Sequence, residues 1–146
     1  LGSQKWVTQH RYNRKENNTL DCIQALRAEG YRIVATSPHT DDMELKDLPI
    51  NEPLALFFGS EKPGLTDLVM QEADDFVRIP MHGFTESFNI SVSAALTLYD
   101  LTTRLHDSEL NWQLSESEKN ELRLEWATKS APRGEEIFER WAEAQK

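Results

Sequence analysis

The sequence predicts an α/β fold with a mainly parallel sheet flanked by helices, and three observations carry that expectation. Leu54–Phe58 is a continuous apolar run of five, the pattern of a strand covered on both faces. A loop bracketed by Gly59 and Gly64 follows it and leads straight into a helix signal. Elsewhere, short strand-like runs alternate with segments of helical periodicity, which is the order of βαβ units. The 146 residues are enough for one domain with a buried core. Beginning at Leu1 rather than Met, the chain is expected to be a piece of a longer or processed protein.

The elements follow in order. Residues 4–8 (Gln-Lys-Trp-Val-Thr) predict a short strand that feeds a basic loop, His10-Arg11-Tyr12-Asn13-Arg14-Lys15. Asn17, Asn18 and Thr19 supply N-cap chemistry, and Leu20, Ile23 and Leu26 share one helical stripe. Gly30 is placed to end that helix, and residues 31–36 read as a strand. Residues 37–53, rich in Asp and Pro, predict a loop with at most one helical turn. Thr66 can cap a short helix bearing Leu68, Val69 and Ala73, and residues 76–79 form the next strand. Ile90, Ala94, Leu98, Leu101 and Leu105 have the spacing of a buried helix face. Ser115 and Glu118 make a capping box, with Leu114 outside it and Leu122 and Trp126 one turn apart inside. Pro132, then Glu135 and Glu136, open a last helix carrying Ile137, Phe138 and Trp141. The last two helices read as a C-terminal extension over residues 108–146, after an α/β domain over 1–107.

Composition bounds the function classes. No apolar run reaches the length of a membrane span, and no secretory leader is recognisable. A single cysteine, Cys22, excludes an internal disulfide and fits a reducing, cytoplasmic setting. Its place in an apolar helix pattern favours a small core residue. His10, His39, His82 and His106 lack metal-ligand spacing, so no metal is expected. The net charge of −9 argues against nucleic acid until its distribution is considered. Residues 1–36 carry +3, residues 37–76 carry −8 and residues 77–146 carry −4. A basic N-terminal segment therefore precedes an acidic body.

Two strand–loop–helix junctions carry the chemistry. Gly59-Ser-Glu-Lys-Pro-Gly64 has the glycine spacing of a P-loop, but Leu65 and Thr66 stand where Lys and Ser/Thr would follow. An NTP phosphate cradle is thereby disfavoured. The glycines instead leave backbone free of Cβ where a flat ligand approaches, or serve a tight turn. In the second junction, residues 79–91, Glu86, Ser87 and Asn89 beside Gly83 offer several hydrogen-bonding groups. They are equally consistent with a helix cap at the segment beginning near Ile90. Two such junctions in one α/β chain mark a small-molecule crevice at the carboxyl ends of parallel strands.

In these two junctions the sequence resembles the SpoU branch of the SPOUT RNA methyltransferases. Phe58-Gly-Ser-Glu-Lys-Pro-Gly-Leu-Thr66 is similar to that branch's second motif, and residues 79–93 (Ile-Pro-Met-His-Gly-Phe-Thr-Glu-Ser-Phe-Asn-Ile-Ser-Val-Ser) to its third. Lys5-Trp6, the segment 10–18 and the helix around 112–126 resemble the TrmH-type members, which methylate tRNA. The resemblance implies a C-terminal deep trefoil knot, S-adenosylmethionine as cofactor, a homodimer formed through the knot, and methyl transfer to a ribose 2′-hydroxyl of structured RNA, tRNA before rRNA. It implies cofactor contacts at Gly59, Glu61, Gly64, Ile79, Met81, Gly83 and Phe88, a reacting centre near Ser87 and Asn89, and RNA contacts at Arg11, Arg14 and Lys15. The family's first motif, with its Asn and the Arg that acts on the ribose hydroxyl, has no counterpart in the sequence. This stretch alone is therefore expected to be weak in catalysis, and a non-catalytic cofactor- or RNA-binding knot domain is the alternative.

Overall fold

The structure is a computed structural model and describes residues 2, 6–38, 41–85 and 87–145. Its elements are α1 (Thr19–Ala28), β1 (Arg32–Thr36), β2 (Met43–Glu44), a 3-10 turn (Leu45–Asp47), β3 (Leu54–Phe57), α2 (Asp67–Glu72), β4 (Asp75–Arg78), α3 (Ile90–His106), α4 (Glu116–Ser130) and α5 (Gly134–Ala144). Residues 11–110 form one compact unit, and residues 1–10 with 111–146 form another. The strand expected over 4–8 lies partly outside the described residues, and Trp6–Thr8 are not in a strand.

In the first unit the four strands pair in the order β2-β4-β1-β3, all parallel. Alternation along each strand sends side chains to opposite faces. Ile33 and Ala35 of β1 join Ala55, Phe57 and Phe76 beneath α1 (Ile23, Leu26) and α2 (Val69, Met70). Val34, Leu54, Leu56 and Val77 face the other way, against Leu45, Leu48 and Leu101. Ile33, Val34 and Ala35 are wholly buried, so β1 is the strand covered on both faces, more completely than the longer apolar run of β3.

Three expectations need correction. First, β2 forms inside the stretch expected to be a loop, its two residues pairing with Val77 and Arg78. A two-residue strand between polar neighbours is too short to show a period. Second, Leu20 is exposed, and α1 packs through Ile23 and Leu26. Third, the buried face of α3 is Thr97 and Leu101, while Ile90 and Leu98 are exposed along with Val92, Leu96 and Tyr99. Helix α3 is apolar on two sides, and the side bearing Val92, Leu96 and Tyr99 is left uncovered. Arg104 fixes which face turns inward. Its guanidinium donates to the Leu48 carbonyl at 2.7 Å and the Leu45 carbonyl at 3.0 Å, and its Nε donates to Asp100 at 2.8 Å.

The second unit holds the last two helices. The capping box of α4 is complete: Ser115 Oγ accepts from the Glu118 N–H, and the Glu118 carboxylate accepts from the Ser115 N–H at 2.8 Å. The Ser115 hydroxyl also donates to the Glu118 carboxylate at 2.6 Å, and that bond, followed by the one from the Ser115 N–H, holds the Glu118 carboxyl below the usual glutamate range. A Cβ on Gly134 would lie 2.1 Å from the Thr128 carbonyl oxygen, so only glycine permits this approach of α5 to α4. Trp6 and Trp126 meet edge to face with ring centroids 5.7 Å apart.

At the amino edge of the sheet, one carboxylate replaces a missing strand partner. Asp74 Oδ2 accepts from the buried Ile33 N–H at 2.8 Å, and its own N–H donates to the Ile33 carbonyl at 2.8 Å. Arg27 pairs with Asp74 Oδ1 at 3.1 Å. Asp74→Ala orphans a buried N–H and should lower unfolding stability by about 1–3 kcal/mol. Asp74→Asn keeps an acceptor and should cost less, and urea titration of both variants measures the difference.

Candidate functional site at the carboxyl edge of the sheet

Because β1, β3 and β4 are parallel, their carboxyl ends share one edge, and β1 lies between the other two. The loops after β3 and β4 therefore leave the sheet two strand spacings apart, about 10 Å. Both exits are tied to the end of β1. Thr36 Oγ1 donates to the Phe57 carbonyl at 2.9 Å, and the Ser37 N–H donates to the Val77 carbonyl at 2.9 Å. The sequence marks 31–36 as a strand, but the bonding role of Thr36 and Ser37 becomes visible only once strand order is known.

The first loop folds back on itself. The Ser60 N–H donates to the Gly64 carbonyl at 3.1 Å, closing residues 60–64 into a small ring. A Cβ on Gly59 would sit 2.4 Å from Gly64 C and 2.5 Å from Leu65 N, so the ring closes only against a bare Cα. Gly64 has φ +91°, and a Cβ there would point into open space. Glu61, Lys62 and Pro63 form the exposed tip. Thr66 then caps α2, its side chain accepting from the Val69 N–H at 3.4 Å.

The second loop rises from β4 through half-buried Ile79 and Met81, and Ile79 packs on the core. Below it, Arg78 bridges to Glu44 at 2.8 Å and to the Asp42 carbonyl at 3.2 Å, fastening the loop's base to β2. The Lys46 ammonium, followed by the charges of Arg78 and His82, holds the Glu44 carboxyl below its usual range. Gly83 has φ +139°, and Phe84, Ser87, Phe88 and Asn89 are all exposed. Glu86 lies outside the described residues. Asn89 is the N-cap of α3, its Oδ1 accepting from the Ser91 N–H at 2.9 Å. The capping reading thus holds for Asn89, and its free end is chiefly the Nδ2 donor pair. Ser87 has no capping role, because Asn89 fills it.

The basic segment reaches the same edge by a different route. A three-residue connection, Glu29-Gly30-Tyr31, reverses the chain, so α1 packs antiparallel to β1. Ten helical residues rise about 15 Å, close to the roughly 16 Å of a five-residue strand. The start of α1 therefore returns to the level of β1's carboxyl end, and residues 11–15 sit just before it. Lys15 is tethered there, its N–H on Asn18 Oδ1 at 2.8 Å and its ammonium on Asp21 at 2.6 Å. Arg11 and Arg14 are exposed. Cys22, half-buried in α1, has its thiol pushed up by burial. Among the described residues no group of three or more His, Cys, Asp or Glu side chains is placed to hold a metal ion, and no helix is long and apolar enough to cross a membrane.

Comparison with known proteins identifies the family. The profile of the SpoU rRNA methylase family matches residues 1–99. The tRNA (guanosine(18)-2′-O)-methyltransferase of Borreliella burgdorferi is 43% identical over 126 residues, which cover 86% of this chain and 56% of that protein. The chain thus spans little more than half the length of that relative. Among solved structures, the TrmH/SpoU tRNA modifying enzyme of A. aeolicus superposes with a TM-score of 0.72 at 25% identity, over 90% of this chain and 66% of that one. The SpoU methyltransferase AviRb from Streptomyces viridochromogenes, in complex with its cofactor AdoMet, superposes with a TM-score of 0.55 at 28% identity, over 64% of this chain and 38% of that one. The chain belongs to the SpoU rRNA methylase family.

Proposed function

We propose that the protein containing this chain is an S-adenosylmethionine-dependent ribose 2′-O-methyltransferase acting on tRNA in the cytoplasm. The observation that carries this reading is the ring at Gly59–Gly64 and the Ile79–Asn89 loop on one edge of a parallel sheet, in a chain of this family. The relatives' substrates and AdoMet complex point the same way.

The residues suit the cofactor. Open backbone at Gly64 and Gly83 lets a flat ring approach, and Ile79, Met81 and Phe88 offer apolar surface beside it. Gly59 and Glu61 shape the facing loop. When bound, S-adenosylmethionine supplies a methyl carbon activated by its sulfonium. Ser87 and the Nδ2 end of Asn89 would orient the ribose hydroxyl, which is a poor nucleophile until its proton is taken up or strongly hydrogen-bonded. Alignment of acceptor oxygen and methyl carbon supplies much of the rate. Asn89 has no basic atom to offer, so proton removal falls to another group. Arg11, Arg14 and Lys15 would hold RNA phosphates beside the same edge.

The reading extends to topology and assembly. The last strand, β4, lies inside the sheet between β2 and β1, which supports threading of the following segment into a trefoil knot. The uncovered stripe of Val92, Leu96 and Tyr99 on α3 supports a homodimer formed through that region. Residues 108–146 would then be a helical extension of the methyltransferase domain over 1–107.

Incubating the full-length protein with labelled S-adenosylmethionine and bulk tRNA should place label on ribose 2′-oxygens, and no label on tRNA or rRNA would defeat the proposal. Cofactor binding without turnover would mark the domain as a binding module. Gly59→Ala, which drives a Cβ into the Gly64 backbone, should abolish detectable cofactor binding in calorimetry. Arg11→Glu with Arg14→Glu should weaken tRNA binding and reduce the salt slope by about 1.5–2 for two lost phosphate contacts, with cofactor affinity unchanged. Leu96→Glu with Tyr99→Glu should shift the protein from dimer to monomer by light scattering.

A further inference from the structure

Phe84 is the most exposed large apolar side chain in the unit formed by residues 11–110. It follows Gly83, whose φ of +139° turns the chain outward, on the loop that carries Ser87 and Asn89. Burial explains nothing about it, since the side chain touches no core and stabilises no element. A protein partner would also be poorly served. Around Phe84, His82, Gly83 and Thr85 are exposed and either polar or without a side chain, whereas protein interfaces need contiguous apolar area. That kind of area is present elsewhere in this unit, on the α3 stripe of Val92, Leu96 and Tyr99.

A fully exposed aromatic ring flanked in the chain by polar residues and glycine is the form that suits a flat ligand. Single-stranded or splayed RNA bases are bound on such rings, because every base has a π-face and stacks without sequence demands. We propose that Phe84 is a stacking platform for an unpaired nucleobase of the RNA substrate, and that it seats the RNA so that a ribose meets Ser87 and Asn89. The inference rests on the tRNA methyltransferase reading and adds a base-binding contact to it. It also divides the labour at this edge. The guanidiniums of Arg11 and Arg14 attract any RNA backbone, while Phe84 requires a base that has left its helix.

The test uses the full-length protein with tRNA and S-adenosylmethionine, comparing wild type with Phe84→Ala, Phe84→Leu and Phe84→Tyr. Stacking that is equal in ground and transition states appears in KM. Phe84→Ala should therefore raise KM for tRNA about 5- to 150-fold, the range an aromatic–base stack supplies, with kcat within about twofold. Phe84→Tyr should restore the wild-type KM, and Phe84→Leu, apolar but without a π-face, should not. Cofactor affinity and oligomeric state should stay at wild-type values in all three. An unchanged KM in Phe84→Ala would overturn the proposal, as would full rescue by leucine or a parallel loss of cofactor binding. A wild-type protein that methylates no RNA would remove the underlying reading instead, and the two failures are told apart by that control.

Discussion

Strand β1 hydrogen-bonds along both edges and is packed on both faces, and the positions of the other elements in residues 11–110 follow from it. Its two neighbours, β3 and β4, are the strands that lead into the two candidate loops. Its amino end is closed by Asp74 in place of a strand, and its carboxyl end by Thr36 and Ser37 bonding outward to each neighbour. The spacing between the loops is thus set by one pleated spacing on either side of a strand that contributes no described site residue. A parallel sheet aligns all its carboxyl ends, which is why ligands gather at that edge.

Charge is arranged around this frame in a consistent way. Arg27, Arg32, Arg78 and Arg104 are each committed to carboxylates within the unit, and Arg27, Arg78 and Arg104 also donate to main-chain carbonyls. Exposed pairs of this kind add little stability individually, but half-buried Arg78 and Arg104 fix geometry by donating to the Asp42, Leu45 and Leu48 carbonyls. In the N-terminal segment Lys15 pairs with Asp21, whereas Arg11 and Arg14 make no such bond among the described residues. An acidic protein can therefore still offer a local basic surface, and the net charge of −9 misleads if taken alone.

Much of this was legible in the residues. The strand patterns over 31–36 and 54–58 mark β1 and β3, the Ser115–Glu118 spacing marks the start of α4, and the two loop motifs mark the family and point to the candidate site. What escaped notice has a common physical cause, namely dependence on partners far along the chain. The two residues of β2 exist as a strand only because β4 passes beside them. The inward face of α3 is displaced from the one the spacing implies: Leu101 is buried as expected and Ala94 and Leu105 are half-buried, but Thr97 is the most buried position, its hydroxyl without a hydrogen-bond partner among the described residues, while Ile90 and Leu98 are exposed. That choice is enforced by Arg104 reaching carbonyls 56 and 59 residues away, which no local periodicity contains. Phe84 reads as one more apolar residue in a motif until its exposure is seen.

Helix α1 has a consequence of a different kind. Its length matches that of the strand it precedes, so it works as a ruler between the turn at Gly30 and the basic arm. Neither end of the ruler lies in the two loops, yet its residue count sets how far Arg11 and Arg14 stand from them. One added turn would carry the arm about 5 Å past the sheet edge and leave every loop untouched. The reach of the cationic arm can therefore be retuned by a length change in a segment that binds nothing itself. Relatives could diverge in substrate by that route while keeping both motifs unaltered.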